Sequence, residues 1–333
     1  MQTIPSAGLA EDSLRALKTA AAFVGLVLAL AHSPARADDW PSKPVRVVVA
    51  FGAGGSADIL GRLVAAELSD AFNQRFFVEN RPGNSGSIGS SMVARAEPDG
   101  YTLLIGGSGP HLTGPAINPN IGYDPMRDFT HIAMIAGDTY ALAANPALGA
   151  RTLADVIRLA HERPLASASP GPGSLGHLLL LQFNRLAKVD IAHIPMPGGT
   201  VTDVLGNHVP LALTTVLTVG QHLRSGALVG IALTSTERNA VFKDIPTFTE
   251  FGYPGMRGST WFWLTAPKGL PPEIVEKLNR AVRKLVHSPR VERYFTQQAL
   301  MTMDLDVAGV NKFLGEELAY WAPLAKESGL RVQ

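Results

Sequence analysis

An apolar, β-branched run, "VRVVV" from Val45, ends in the glycine-rich turn "AFGAGGS", and a helical pattern follows at once. This strand–turn–helix most constrains the fold. A short β-branched run bounded by glycines reads as a buried strand. Leu60, Leu63, Val64 and Leu68 then recur at helical spacing on one face. The arrangement returns about 120 residues later: "LASAS" as strand, "PGPGSLG" as turn, "HLLLLQFNRLA" as helix and "VDIAHIPM" as the next strand. Two such units in an alternating β/α chain predict an α/β architecture of two similar lobes. Ligands in open α/β sheets lie outside the carboxyl ends of the strands, which places a site between the two glycine loops.

The remaining pattern fills in the layers. Strands are expected at Phe76–Glu79 and Thr102–Ile105, and two apolar runs lie within Ile132–Ala144. Helices are expected around Ser90–Ala96 and Leu153–His161, and further strands at "PLALTTV" and "LVGIALT". "WFWLTAP" opens a last segment with two helices. The first begins at Pro271-Pro272, where a missing N–H costs little, and lines up Ile274, Leu278, Val282 and Leu285. The second runs from about Val307 to Leu324, with Val310, Phe313, Leu314, Trp321 and Leu324 apolar.

The first 37 residues have a different character. Arg15 and Lys18 precede an uncharged apolar stretch from Thr19 to Ala31, and Ala35-Arg36-Ala37 is a small-x-small cleavage pattern. A charged region, a short apolar core and such a site read as a signal peptide, with residues 1–37 removed and export to the periplasm. Loss of Arg15, Lys18 and Arg36 against Glu11 and Asp12 brings the net charge from +1 to zero. With balanced charge and no Lys/Arg block, nothing points to nucleic acid. The chain has no cysteine, which excludes a lipid-modified N-terminal cysteine and leaves stability to the core. At 46% hydrophobic residues the chain can build one.

A glycine turn at a helix N-terminus is an anion site: free N–H groups, the positive end of the dipole and close backbone approach. The anion is open between phosphate and carboxylate. Gly52, Gly54 and Ala57 fit the G-x-G-x-x-G/A dinucleotide fingerprint, and Glu79 stands about where a ribose-binding acid is wanted. A dinucleotide-dependent oxidoreductase is therefore the alternative reading. Against it, there is no G-K-[ST], and an exported protein meets little free dinucleotide. "GGSGP" and "PGSLG" lack the G-x-S-x-G spacing of a hydrolase. His111, His177 and His193 show no metal-ligand spacing and are read as packing or hydrogen-bonding at element ends. Asp58, in the first turn of its helix, is read as a structural partner of the helix dipole. No enzyme, metal or cofactor is implied.

The blocks "WPSKPVRVVVAFGAGGSADILGRLVAAELS", "FFVENRPGNSGSIGSSMVARAEPDGYTLLIG", "YDPMRDFTHIAMIA", "GPGSLGHLLLLQF", "IAHIPMPGG" and "DIPTFTEFGYPGM" follow one another in order from Trp40. They resemble the extracytoplasmic solute receptors of tripartite tricarboxylate transporters, the Bug-type binding proteins. "VENRPG" and "PDGYTLL" are the most specific of these blocks. The resemblance implies a two-lobed periplasmic binding protein (Venus-flytrap) fold, each lobe a mixed sheet flanked by helices. Lobe 1 would comprise 38–142 and 258–333, lobe 2 143–257. It implies a monomeric receptor that captures a small organic carboxylate and delivers it to the membrane subunits of such a transporter. Carried over residue by residue, one pincer is Phe51, Gly52, Gly54, Gly55, Ser56 and Ala57, and the other Ser169, Gly171, Gly173, Ser174 and Leu175. Ser108 and the run from His193 to Gly198 complete the cleft, with Thr214 at a strand end.

The chain departs from the family pattern in three places. Ala50 and Ala53 replace two prolines of a P-F-x-P-G-G loop, which removes two fixed φ angles. Met196 and Pro197 stand where Tyr-Lys is common, and Thr214 where many relatives carry Asp. Together these changes imply a less charged pocket, suited to an aromatic or apolar carboxylate.

Overall fold

The β-branched run forms strand β1 (Val45–Val49), with Val45, Val47, Val48 and Val49 fully buried. A computed structural model describes residues 40–118, 120–196 and 200–330. The expected leader and its cleavage site lie outside the described residues. After β1 come α1 (Ser56–Phe72), β2 (Phe76–Asn80), α2 (Ser87–Ala94) and β3 (Thr102–Gly107). On α1, Leu60, Val64 and Leu68 are buried as their spacing predicts. A π-helical turn (Gly109–Thr113) and the short α3 (Gly114–Ile117) lead to β4 (Phe129–Ala144).

The second half repeats the plan with α4 (Leu153–Glu162), β5 (Leu165–Ser169), α5 (Leu175–Ala187), β6 (Ile191–Pro195), α6 (Thr200–Leu205) and β7 (Leu211–Thr215). Then follow α7 (Val216–Arg224), β8 (Val229–Leu233), β9 (Ser259–Pro267), α8 (Pro272–Val286), α9 (Pro289–Gln298) and α10 (Val307–Glu327). The closing segment thus holds three helices rather than two. The added one, α9, buries only Val291 and Phe295 and so carries little apolar periodicity.

The strands line up as β2-β1-β3-β9-β4-β7-β5-β6, with β8 also on β4. β1 runs parallel to β2 and β3, and β5 parallel to β6 and β7, while β9 and β4 run antiparallel to their neighbours. Each half is therefore a mixed sheet. The two apolar runs within Ile132–Ala144 are one strand of 16 residues. Its first part pairs with β9 as far as Thr139, and its last part, from Tyr140, pairs with β7 and β8. Gly137 and Asp138 break the apolar pattern without breaking the strand. A Cβ at Gly137 would stand 2.6 Å from the Trp261 ring, so the glycine makes room for an aromatic. Asp138 is fully buried but hydrogen-bonded from outside its strand.

Among the described residues, the largest apolar cluster joins Trp263 of β9, Phe183 of α5 and Val310, Leu314 and Trp321 of α10. Such a side chain contributes about 1.5–3 kcal/mol when fully buried. Ile274, Leu278, Val282 and Leu285 of α8 are buried as a single face. The helices fix the strands so that the carboxyl ends of β1, β3, β5 and β7 reach one place.

Candidate functional site

At the end of β1 the chain turns through Gly54 at φ 82°, a conformation that favours glycine. Helix α1 then starts after Gly55 with no side chain capping its first N–H groups. Asp58 holds this loop from behind: its carboxylate accepts the Gly54 N–H at 3.0 Å and the Asn80 amide at 2.9 Å, and pairs with Arg62. Burial opposes its charge, yet hydrogen bonds from Arg62, Gly54 and Asn80 outweigh that and keep the carboxyl below its ordinary value. The structural role expected of Asp58 is what the geometry shows.

The second loop follows β5. Gly173 sits at φ 78°, and Ser174 caps α5 by accepting the His177 N–H at 3.3 Å. The Ser174 hydroxyl donates to Gly171 O at 2.7 Å. Behind the loop, His193 Nε2 lies 2.6 Å from Ser169 Oγ, and its ring stacks on His177 with centroids 3.6 Å apart. His177 Nδ1 accepts the Gly173 N–H, which requires the neutral ring.

The two loops face a cavity of about 190 Å³. Of the expected residues, Phe51, Gly52, Gly54, Gly55, Ser56, Ala57, Ser108, Ser174, Leu175 and Thr214 line it. Ser169, Gly171, Gly173 and His193 do not; they brace the second loop from behind. Of the run from His193 to Gly198, Met196 lines the cavity, and Pro197 and Gly198 lie outside the described residues. Among the described lining residues there is no Lys, Arg, His, Asp or Glu. Phe51, Phe262, Met196 and Val201 supply apolar wall, and hydroxyls and helix N-termini supply polarity.

Sequence reasoning missed Tyr140, Thr215, Thr218, Thr260 and Phe262, which also line the cavity. Thr215 directly precedes α7, a helix the sequence reading left out; a threonine before an apolar run is an N-cap signal. Tyr140 and Phe262 lie within strands, where nothing in the sequence separates a core aromatic from a cavity wall. Glu79, the expected ribose acid, is tied to Arg46 and Arg81 and is absent from the lining.

Beneath the first loop, Ser56 Oγ donates to Asp138 Oδ2 at 2.8 Å and lies 2.7 Å from Thr215 Oγ1 and 3.1 Å from Thr218 Oγ1. The Leu217 N–H, at the start of α7, reaches both oxygens of Asp138 at 3.3 Å. One carboxyl thus joins α1, β4 and α7. Burial pushes it up to about 7, against the hydrogen bonds from Ser56, Leu217, Thr215 and Val216.

The histidines carry a pH prediction. Burial pushes His131, His177 and His193 down to about 4 and His111 to about 3, with a neighbouring histidine adding to the effect at His111 and His177. Between those values and 6.5 the unfolded chain binds more protons, so their contribution to stability is lost as pH falls through that window. Asp138, raised instead, runs the other way and contributes less as pH rises from 3.8 toward 7. Four groups outweigh one, so thermal melts should give a lower midpoint at pH 4.5 than at pH 7. A higher midpoint at pH 4.5 would contradict these assignments.

The sequence pattern of the family described as "Tripartite tricarboxylate transporter family receptor" matches residues 60–330. The chain is 33% identical to Protein BugT of Bordetella pertussis over 319 residues, 94% of this chain and 98% of that one. The chain belongs to the tripartite tricarboxylate transporter receptor family. Members of this family are solute-binding receptors, not enzymes, and the oxidoreductase alternative falls with that. The receptor has the mixed α/β periplasmic binding protein fold of solved relatives. It matches an R. palustris protein solved with adipate at 33% identity and TM-score 0.84, over 88% of this chain and 99% of that one. It matches MatC of Rhodopseudomonas palustris, solved with malate, at 30% identity and TM-score 0.81, over 86% and 100%.

Proposed function

We propose that the receptor captures a small organic carboxylate between the two glycine loops, with Phe51 to Ala57 on one side and Ser174 and Leu175 on the other. The observation that carries this is one cavity faced by the uncapped N-terminus of α1 and by hydroxyls, with no charged side chain among its described lining residues. Neutral donors at helix starts suit a single negative group and do not repel it. The apolar wall formed by Phe51, Phe262, Met196 and Val201 favours an aliphatic or aromatic body over a third carboxylate. That relatives were solved with adipate and malate supports the class.

The lobes would be 38–142 with 258–333, and 143–257, hinged where β4 passes from β9 to β7 and β8. Ligand capture would close them, and the membrane subunits of the transporter would receive the loaded form. The charged start, apolar core and Ala35-Arg36-Ala37 site support export with cleavage near Ala37.

A thermal-shift panel of adipate, malate, citrate, benzoate and NAD tests this. A ligand at a hundred times its Kd stabilises by about 2.7 kcal/mol, a shift of several degrees. Adipate or benzoate should give that shift, and NAD none. A shift with NAD alone would overturn the carboxylate reading. Tight citrate binding without response to adipate or benzoate would overturn the uncharged-pocket reading.

A further inference from the structure

We propose that Asp138 is the positioning residue of this site: it sets whether the Ser56 hydroxyl donates or accepts in the cavity, so that carboxylate capture takes up a proton at Asp138. The proposal rests on the carboxylate reading above. Ser56 lines the cavity, whereas Asp138 stands behind it, fully buried, at 2.8 Å. A serine has one proton to donate. When Asp138 is ionised, it is an acceptor only and takes that proton. Thr215 likewise donates to Asp138, and the Ser56 oxygen then offers lone pairs to the cavity and to the Thr218 hydroxyl.

A bound carboxylate would meet those lone pairs, with a second buried negative charge two hydrogen bonds away. When Asp138 takes a proton from solvent, its O–H donates to Ser56 Oγ. The Ser56 proton is then released toward the cavity, where it can donate to a carboxylate. The Leu217 N–H keeps an acceptor oxygen in both states.

Among the described residues, no charged group compensates Asp138 from the surrounding elements. On its own strand, the titratable neighbour is Tyr140, and α9 presents Tyr294; both are pushed upward, by burial first and then by the Asp138 charge. On α1 the charged groups Asp58 and Arg62 pair with each other. The basic groups of α7, His222 and Arg224, sit in its last turn, away from the Leu217 end. From β9 the partner across the ladder is Thr260, which does not titrate. Burial accordingly leaves the carboxyl near 7, poised to take up a proton when an anion arrives.

Isothermal titration of the mature receptor with adipate, malate and benzoate, in phosphate and in Tris, counts protons taken up. Near pH 7 the wild type should take up about half a proton per ligand, and Kd should weaken by about tenfold per pH unit above that. The ligands' own carboxyls titrate at about 4 to 5.5, below the range from pH 6.5 to 8.5. Asp138→Asn copies the protonated acid: its N–H donates to Ser56 and its carbonyl accepts from Leu217. It should bind with the low-pH wild-type Kd, no proton uptake and a flat pH profile. Wild-type binding without uptake and with a flat Kd would overturn the proposal and leave the carboxylate reading standing. The same slope in Asp138→Asn would do so too. No binding of any of the three acids would overturn both. The wild-type profile alone is decisive if Asp138→Asn does not fold.

Discussion

Gly176→Ala is expected to lower stability by about 1–3 kcal/mol and weaken carboxylate binding at least tenfold. At an ordinary helix position the same change gains about 0.5–1 kcal/mol, because glycine is the poorer helix former. Gly176 is the second residue of α5, and a Cβ there would stand 2.5 Å from Leu213 O and 3.1 Å from the Tyr140 ring. Leu213 O is backbone in β7 and cannot swing away. The N-terminus of α5 would have to withdraw from the sheet, taking Leu175 and Ser174 out of the cavity wall. Urea unfolding and calorimetric binding check both parts. Unchanged affinity with raised stability would show that the close approach of α5 to β7 does not hold the site.

The second expectation concerns Ser85→Ala combined with Thr113→Val. Thr113 Oγ1 donates to Gly173 O at 2.7 Å, and Ser85 Oγ donates to Pro172 O. Both bonds run from the first half of the chain to the second loop. A buried carbonyl left unpaired costs about 1–3 kcal/mol, whereas one facing water costs nothing comparable. If the halves close on a ligand as proposed, the loss falls on the closed form alone. Adipate should then dissociate about tenfold to a hundredfold faster, while the melting point of the ligand-free receptor moves little. Stopped-flow displacement measures the rate, and an unchanged off-rate would argue against closure through these contacts.

Much of the frame was readable before any coordinates. β1, β2, β5 and α4 fall within a residue or so of their expected bounds, because short β-branched or small-residue runs and amphipathic spacing carry their own signal. The first pincer was legible as a glycine turn before a helix, and all six of its expected residues line the cavity. The second was legible only in part. Ser169, Gly171 and Gly173 share the turn with Ser174, but the left-handed turn at Gly173 and the His193 contact direct them behind the wall.

Asp138 was not legible as a site residue at all. In sequence it is a polar residue that splits an apolar run, and it suggested two strands. Only when α1 and α7 bring Ser56, 82 residues away, and Leu217, 79 residues away, against it does the acid become the centre of a network. Ala50 gains a reason too. It is fully buried, and a Cβ on Gly89 would lie 3.0 Å from it, so α2 packs where a proline ring would stand.

The sequence by itself determined the α/β class, the two glycine loops at helix starts, the absence of catalytic or metal-binding motifs, and the family. These are local features, written in residue spacing and in the conformations that glycine, proline and β-branched residues permit. The tertiary structure alone decided which side chains share the cavity and that none of the described ones is charged. It also decided that one buried carboxyl binds α1 to α7. Those properties depend on contacts between residues far apart in the chain, and no local preference encodes the burial that shifts a proton.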